Sequence, residues 1–535
     1  MHRLLSLVFL SVALAQDLVV DLPDGTIRGS EITFQNKSYY AYRGIPFATP
    51  PLGKLRFQAP LPPEPWDGIL ETNETKSCCI AMIPYGQQSE DCLYLNVYTP
   101  ARKITEKLPV MLWIYGGGFF IGCTDDVSGG PFYLLDEDVI VVYVNYRLGM
   151  YGFLSTEDDV VLGNAGLKDQ LLAMKWTKNN IALFGGDPEK ITIFGGSAGG
   201  ISVGTHIVNP KSAGLYRAAI CQSGCSLTYI DSVIQDNARQ TAYDYAKYVD
   251  PTITEQNTTT EIRDFLQSLP TEVLTPAFFT NIRTGISIEV EHEDAYVTSH
   301  SFPLLDSGNF NQVPLLLGTA SAEMLSLFNI VNVDIAAAFF DWDVTTVIPS
   351  DLLLKPSINA TEVGSIIKDA YVGPNGSFSE NFGAVVEITS DLTFVKSTLK
   401  QAEIHSNFTP VYLYQFSYRG SLNSLPIIEG AGKASHGAES LYLFSSLSDP
   451  SLTDGDILIR KQIVRLWTNF AKTLNPSPDA TDPLLNLTWP QVSPNNIQYL
   501  DFDDQIAVKP NRKERQMAMW NDVYYTYGQQ PFIGF

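Results

Sequence analysis

One serine in this chain lies between glycines where a β-branched run gives way to an apolar stretch. Ser197 is the centre of the segment 195–199, Gly-Gly-Ser-Ala-Gly, which directly follows the run 191–194. A serine in this pattern, on a turn from strand to helix, is typical of a nucleophile elbow with its hydroxyl at the positive end of a helix. Because a plain glycine loop also fits the pattern, a nucleophilic role needs support from other residues.

A serine nucleophile needs a histidine base and an acid that orients the histidine, and in this arrangement both follow the serine along the chain. His436 lies in a loop of small residues after a predicted strand at 411–416 and before a predicted helix at 441–447. Glu323 follows a predicted strand at 313–317. We therefore predict His436 as the base and Glu323 as the orienting acid.

Three other residues compete for these roles. Asp306 precedes the strand at 313–317, which puts it at the wrong edge of the sheet to reach Ser197. Glu439 is expected to support the first turn of the helix at 441–447 rather than orient the base. His405 lies two residues before a glycosylation sequon, which favours a position at the solvated surface.

A glycine run offers amide donors for a developing oxyanion. Residues 116–118 are three successive glycines at the end of a predicted strand at 109–114. Without side chains they expose backbone N–H groups and let an acyl group approach closely. We predict that Gly117, Gly118 and Ala198 donate their N–H groups to the oxyanion, with an ordinary glycine turn as the alternative.

Near-continuous apolar runs predict strands that are buried on both faces, which is typical of a parallel sheet. Helical patterns lie between several of them, the clearest at 164–183. This order indicates a doubly wound α/β sheet, and residues 16–535 are expected to form a single domain. Two weakly patterned segments, 245–297 and 325–399, are expected to be insertions that wall a substrate pocket. The predicted strands are 109–114, 139–144, 191–194, 218–221, 313–317 and 411–416.

Composition and targeting signals narrow the class of protein. The net charge of -23 disfavours nucleic acid as a partner. Residues 1–15 resemble a secretory signal peptide, and the apolar run 4–14 is too short to anchor the chain in a membrane, so we expect a secreted, glycosylated protein. In that compartment Cys92 is expected to form a disulfide with Cys78 or Cys79, and no metal site is expected. The glycosylation sequons begin at Asn36, Asn73, Asn257, Asn359, Asn375, Asn407 and Asn486.

Five further motifs carry a family resemblance. Residues 42–48 read Tyr-Arg-Gly-Ile-Pro-Phe-Ala and residues 89–98 read Ser-Glu-Asp-Cys-Leu-Tyr-Leu-Asn-Val-Tyr; Asn-Tyr-Arg, Gly-Leu-Lys-Asp-Gln and Phe-Gly-Gly-Asp-Pro follow in order at 145–147, 166–170 and 184–188. The chain resembles the type-B carboxylesterase and cholinesterase family, and most of all its secreted insect-type carboxylesterases. The resemblance implies an α/β-hydrolase fold with a mostly parallel sheet and helical insertions over the active site.

The resemblance also implies roles for individual residues. Ser197, Glu323 and His436 match the family's catalytic positions, and Gly117, Gly118 and Ala198 match its oxyanion donors. Cys92 matches one half of a disulfide. Structural ion pairs are implied between Arg43 and Glu90 and between Arg147 and Asp169.

These features predict a serine hydrolase that cleaves small-molecule carboxylic esters through an acyl-enzyme and uses no cofactor. The alternative is a non-catalytic adhesion or ligand-binding protein of the same fold. The short loop 79–92 has no tryptophan, so recognition of quaternary ammonium groups is not expected. The acyl and alcohol preference and the oligomeric state stay open.

Overall fold

A computed structural model describes residues 18–83, 86–100, 105–124, 129–230, 234–235, 237–275, 282–445, 451–494 and 496–535. The predicted signal peptide, residues 1–15, lies outside the described residues. The strands are β1 Val19–Leu22, β2 Gly25–Arg28, β3 Ser30–Phe34, β4 Lys37–Pro46, β5 Ile69–Glu71, β6 Cys78–Cys79, β7 Gln88–Ser89, β8 Tyr94–Thr99, β9 Leu108–Ile114, β10 Ile140–Val144, β11 Gly186–Gly196, β12 Ala218–Gln222, β13 Ile234–Gln235, β14 Ile286–Ser287, β15 Leu315–Ala320, β16 Val411–Phe416, β17 Gln498–Phe502 and β18 Ile506–Pro510.

A large mixed sheet organises the described residues. Its eleven strands run in the order β18-β17-β16-β15-β12-β11-β9-β10-β8-β4-β3. The strands from β10 to β17 pair in parallel, and antiparallel strands close both edges. The central strands are buried on both faces, as their unbroken apolar runs predict. The predicted α/β class and mostly parallel sheet are confirmed.

Several observed strand bounds differ from the predicted ones. The strand at 411–416 matches β16, and β9 starts one residue before its predicted beginning. The strand predicted at 313–317 instead spans Leu315–Ala320. Pro314 has no N–H for the ladder, and Val313 donates to the carbonyl of Asn311 in a turn, so pairing begins only at the next residue.

Helices cover the sheet and fill the two insertions. The segment predicted as helix at 164–183 forms α3 followed by a 3-10 turn, Ile181–Phe184. The helix predicted at 441–447 ends early, at Leu443, and part of that prediction falls outside the described residues. The helices are α1 Phe132–Leu135, α2 Gly149–Phe153, α3 Ala165–Asn180, α4 Ala198–Val208, α5 Ala238–Val249, α6 Thr259–Ser268, α7 Thr271–Leu274, α8 Ser301–Asp306, α9 Val333–Trp342, α10 Ala360–Val372, α11 Phe382–Ser390, α12 Lys396–His405, α13 Ser440–Leu443, α14 Asp454–Thr473 and α15 Glu514–Tyr527.

Within the described part of the chain, no single helix is both long and apolar enough to cross a bilayer. One bent pair, Glu323–Asn329 with α9, meets that requirement by length and composition alone.

Two disulfides fix the loops before β8 and after β9. Cys92 pairs with Cys79, which resolves the choice that the sequence left open. Cys78 pairs with Cys123, a partner that sequence analysis did not assign. Cys221 and Cys225 are free and buried.

The implied ion pairs have different outcomes. Arg147 and Asp169 form a buried pair with 2.6 Å between Nη2 and Oδ1. The carboxylate of Glu90 is instead held by Arg56, again at 2.6 Å, while the guanidinium of Arg43 donates to the carbonyl of Asn73. Arg56 lies in a loop with no periodic pattern, so the sequence alone gave no reason to choose it.

The seven sequon asparagines all have solvent access. Six are exposed, and Asn257 is half-buried. Each therefore lies where a glycan could be attached without disturbing the core.

Candidate active site

The turn that follows β11 has the backbone of a nucleophile elbow. Ser197 has φ 57° and ψ -125°, a conformation that is unusual for a residue with a side chain, and it directly precedes α4. A Cβ added to Gly199 would lie 2.0 Å from the carbonyl oxygen of Ile114, so only glycine permits this approach of helix to strand. Strain of this kind costs on the order of 1–3 kcal/mol and is concentrated at functional sites. The turn therefore holds the Ser197 hydroxyl at the N-terminus of α4.

The glycine run after β9 lies directly against the elbow. A Cβ on Gly116 would come within 2.9 Å of the Cβ of Ser197. Gly117 has φ 110° and Gly118 has φ 62°, and the carbonyl of Gly117 accepts hydrogen bonds from Phe120 and Ile121. Among the described residues, the N–H groups of Gly117, Gly118 and Ala198 have no protein acceptor. This arrangement leaves three amide donors near the serine for an oxygen of a bound substrate.

Strand register brings the other predicted residues to the same edge of the sheet. Gly196 pairs with Gln222, and Gln222 pairs with Gly318 of β15. Gly318 in turn pairs with Tyr414 of β16, the strand that precedes the His436 loop. A Cβ on Gly196 would lie 3.6 Å from the Oγ of Ser440, which places the elbow beside that loop.

His436 and Glu323 are in direct contact. The Nδ1 atom of His436 lies 2.6 Å from Oε2 of Glu323, and the backbone N–H of His436 donates to the Glu323 carbonyl. The Glu323 side chain is fully buried, and its other oxygen accepts from the N–H of Ala320 at 2.6 Å. The carboxylate therefore has a fixed orientation, with one oxygen facing the backbone and the other facing the imidazole.

Opposing effects act on the pKa of His436. Burial of His436 disfavours the charged form, but the charge of Glu323 and the hydrogen bond to it outweigh burial, so the pKa of His436 is raised above its usual value. About a quarter of the His436 side chain is exposed, so part of the imidazole is accessible from outside the protein. An imidazole with these neighbours can take up a proton and hold it beside the carboxylate.

Ser223 joins the two carboxylates behind the imidazole. Its Oγ lies 2.7 Å from Oε1 of Glu323 and 3.4 Å from Oε1 of Glu439. Glu439 is fully buried and accepts from the hydroxyl of Tyr414. Burial and the nearby charge of Glu323 raise the pKa of Glu439, which favours its protonated form.

Two expectations about neighbouring residues are wrong. Glu439 makes no side-chain cap for α13, because its carboxyl group turns inward to Ser223 and Tyr414. His405 is fully buried, not solvated; its Nε2 lies 3.1 Å from the Val313 carbonyl, and burial lowers its pKa to about 4. Asp306 lies at the end of α8, ahead of β15, as expected.

Sequence analysis missed two neighbours of the imidazole network. Phe394 stacks on His436 with ring centroids 4.4 Å apart, and it lies in a single π-helical turn, Asp391–Val395. No sequence pattern predicts that turn. Ser223 could have been found, because it directly follows β12, the strand that lies between those leading to Ser197 and Glu323.

The two segments predicted as insertions, 245–297 and 325–399, line different parts of the structure. The segment predicted at 245–297 lines a cavity of about 340 Å³ beside α4, with Ile286 and Tyr296 in its wall; Ser197 and His436 are not among its lining residues. The segment at 325–399 supplies Phe394. In the described ranges, no cluster of three or more histidine, cysteine, aspartate or glutamate side chains is arranged to hold a metal ion.

Comparisons with known proteins agree on one family. The Carboxylesterase family matches residues 16–520. Juvenile hormone esterase from Tribolium castaneum is 32% identical over 90% of this chain and 87% of its own length. Pyrethroid hydrolase Ces2e from Rattus norvegicus is 31% identical, covering 93% and 88%, and venom carboxylesterase-6 from Apis mellifera is 30% identical, covering 93% of both chains. A family match of this extent, together with relatives that are named esterases and hydrolases, shows that the chain belongs to the carboxylesterase family and is a carboxylic ester hydrolase.

Proposed function

We propose that the protein is a secreted serine esterase that works through Ser197, His436 and Glu323. The observation that carries this proposal is the 2.6 Å contact between His436 and the buried Glu323, at the sheet edge where Ser197 begins α4. A neutral His436 donates its Nδ1 proton to Glu323, which leaves Nε2 free to accept the proton of Ser197.

The first half of the reaction forms an acyl-enzyme. The Ser197 oxygen bonds to the ester carbonyl carbon while its proton passes to Nε2 of His436. The carbonyl oxygen becomes an oxyanion, and the N–H groups of Gly117, Gly118 and Ala198 donate to it. The bond from carbon to the alcohol oxygen then breaks, and His436 returns the proton to the departing alcohol.

The second half releases the acid. Water loses a proton to His436 and attacks the acyl carbon, and the same amide groups stabilise the second oxyanion. The bond to Ser197 breaks, and the serine oxygen recovers the proton from His436. Glu323 stays ionised throughout and stabilises the imidazolium that forms in each half.

The substrate class we propose is small-molecule carboxylic esters. The relatives are named for a juvenile hormone, for pyrethroids and for acylcarnitine. These names share an ester bond between an acid and an alcohol rather than a single acyl or alcohol group. We therefore propose carboxylic esters as the substrate class and assign no acyl or alcohol group.

Secretion and glycosylation are also proposals. They rest on the signal-like residues 1–15, the accessible sequon asparagines and two disulfides, which form in oxidising compartments. Expression of the full chain in insect cells tests both. We expect the protein in the medium, with an N-terminus near Gln16 and a mass that falls on glycosidase treatment; an intracellular, unprocessed chain would contradict the proposal.

Ser197→Ala tests the catalytic assignment. We expect kcat for p-nitrophenyl acetate to fall about 10⁶-fold, because the nucleophile is lost while the amide donors remain. Circular dichroism and thermal unfolding must first show that the variant is folded. A folded variant that keeps near-normal turnover would refute the role of Ser197.

A further inference from the structure

Helix α9 presents a row of large apolar side chains to solvent. Ile335, Phe339 and Trp342 are 66%, 49% and 80% exposed, and they are spaced four and three residues apart, so they share one face of the helix. Ile330, just before the helix, is 87% exposed. Single exposed apolar residues are ordinary, but a contiguous row of this size marks an interaction surface. We call these four residues the apolar face.

The opposite side of α9 is apolar as well. Ala337 is fully buried, and Phe340 packs edge-on against Phe378 with centroids 5.4 Å apart. Asp334 and Asp341 share one flank of the helix, so α9 has two apolar faces separated by acidic residues. One of these faces packs against the protein, and the apolar face is the one that stays uncovered.

The helix is fixed in position by polar contacts. Asp341 accepts hydrogen bonds from the N–H groups of Phe378 and Ser379, and it forms an ion pair with Lys368 at 3.2 Å. Asn332 caps the first turn by accepting from the N–H of Asp334. The apolar face is thus a formed part of the surface.

The apolar face lies close to the candidate active site. It follows the 3-10 segment Glu323–Asn329, whose first residue contacts His436. At a rise of about 2 Å per residue, a segment of this kind places Ile330 on the order of 14 Å from Glu323. One short segment therefore links the apolar face to the residue that contacts His436.

The charge around α9 indicates what kind of surface can bind to the apolar face. Residues 321–354 contain no lysine or arginine, and the acidic residues on or next to α9 are Asp334, Asp341 and Asp343. Lys368 pairs with Asp341, so the surroundings of the helix stay acidic, as does the whole chain at -23. Anionic lipid would be repelled, because binding to it depends on basic residues. Phe339 and Trp342 have the side chains that insert at the boundary between water and an apolar phase. An uncharged lipid surface therefore suits both the apolar side chains and the acidic charge of the protein around them.

The helix would lie on such a surface rather than cross it. Glu323–Asn329 and α9 meet at 109°, and the first of them holds the buried Glu323 beside His436. Insertion of both segments would pull Glu323 away from the imidazole. Only the exposed side of α9 and Ile330 can enter lipid while the site stays intact.

We propose that the apolar face docks the enzyme on an uncharged lipid surface and that its substrates include water-insoluble esters held in that surface. The docking follows from α9 alone, whereas the substrate class rests on the proposed function.

The test is flotation with triolein droplets coated with phosphatidylcholine. We expect the wild-type protein to float with the droplets and the triple variant Ile335→Asp, Phe339→Asp, Trp342→Asp to lose about 100-fold or more in partitioning, because each change removes a large apolar group from lipid. A matched control changes Leu52, Leu61 and Ile69, which are 49%, 49% and 46% exposed elsewhere, to aspartate and should float normally.

Tryptophan fluorescence gives a second readout. Trp342 is the exposed one of the seven tryptophans, all of which lie in the described ranges, so droplets should shift its emission to shorter wavelength. Vesicles of phosphatidylserine should cause no shift. Stronger binding to anionic vesicles, flotation of the triple variant, or self-association through α9 without flotation would each overturn the proposal.

Two activity assays separate this proposal from the catalytic one. The triple variant should hydrolyse dissolved p-nitrophenyl acetate within about twofold of wild type but lose most of its activity on emulsified long-chain esters. Ser197→Ala should float normally and hydrolyse neither. A Ser197→Ala variant that floats but keeps its activity would therefore count only against the catalytic assignment, and a triple variant that still floats with the droplets would count only against docking.

Discussion

Replacing Glu323 by glutamine should fix the imidazole of His436 in the wrong tautomer. In the native chain one oxygen of Glu323 accepts from the N–H of Ala320 at 2.6 Å, and the other lies 2.6 Å from Nδ1 of His436. Ala320 can only donate, so the amide oxygen of the glutamine must face it. The amide NH₂ then faces His436, whose Nδ1 must become the acceptor and whose Nε2 carries the proton. An Nε2 that carries a proton cannot take one from Ser197.

The size of the effect follows from that switch. Loss of the correct tautomer with the geometry intact lowers kcat by about 10⁴-fold in serine hydrolases, which corresponds to about 5.5 kcal/mol of transition-state stabilisation. The variant also loses the negative charge that raises the pKa of His436. The pKa of His436 should therefore fall, and the acid limb of any residual activity should move to lower pH.

The assay is kcat/KM for p-nitrophenyl acetate between pH 5 and pH 9. Glu439→Gln is the matched control, because it alters a second buried carboxyl group nearby, whose side chain contacts Ser223 and Tyr414 and not the imidazole. We expect the control to stay within about tenfold of wild type. A folded Glu323→Gln variant that also stays within tenfold would refute the tautomer argument.

Three more outcomes are expected. In the wild type, activity should fall as pH drops through a midpoint above about 6.5, since Glu323 raises the pKa of His436; a pH–rate profile with a midpoint at or below that value would contradict this. Gly117→Ala should lower kcat about 100-fold to 1,000-fold, because its Cβ would lie 2.2 Å from the Ile121 carbonyl oxygen and must displace a predicted oxyanion donor; unchanged kcat in steady-state assays would refute that role. Removing the disulfide that spans 45 residues, by Cys78→Ala with Cys123→Ala, should cost about 4 kcal/mol in urea unfolding, and a cost below 1 kcal/mol would contradict it.

Much of the framework could be predicted because each part depends on local chemistry. Residues 411–416 are apolar without interruption, and β16 has those bounds. The elbow could be predicted because only glycine tolerates the approach of α4 to Ile114. Chain order and strand ends were then enough to single out Glu323 and His436, which lie in contact.

The parts that were missed depend on contacts between distant segments. His405 is buried because Phe310 packs against its ring, with centroids 4.6 Å apart, and nothing near residue 405 in the sequence shows this. Glu90 is held by Arg56, and Cys123 reaches Cys78 across 45 residues. Such pairings are set by the packed loops rather than by local pattern.

Covalent labelling of the active serine tests the central claim most directly. A fluorophosphonate probe reacts with a serine only where a base activates the hydroxyl and amide groups stabilise the oxyanion. We expect one probe per chain, mapped by peptide mass spectrometry to Ser197, with labelling lost in Glu323→Gln. A folded, active enzyme that carries the label on a different serine, or that hydrolyses esters without taking up any label, would contradict the account.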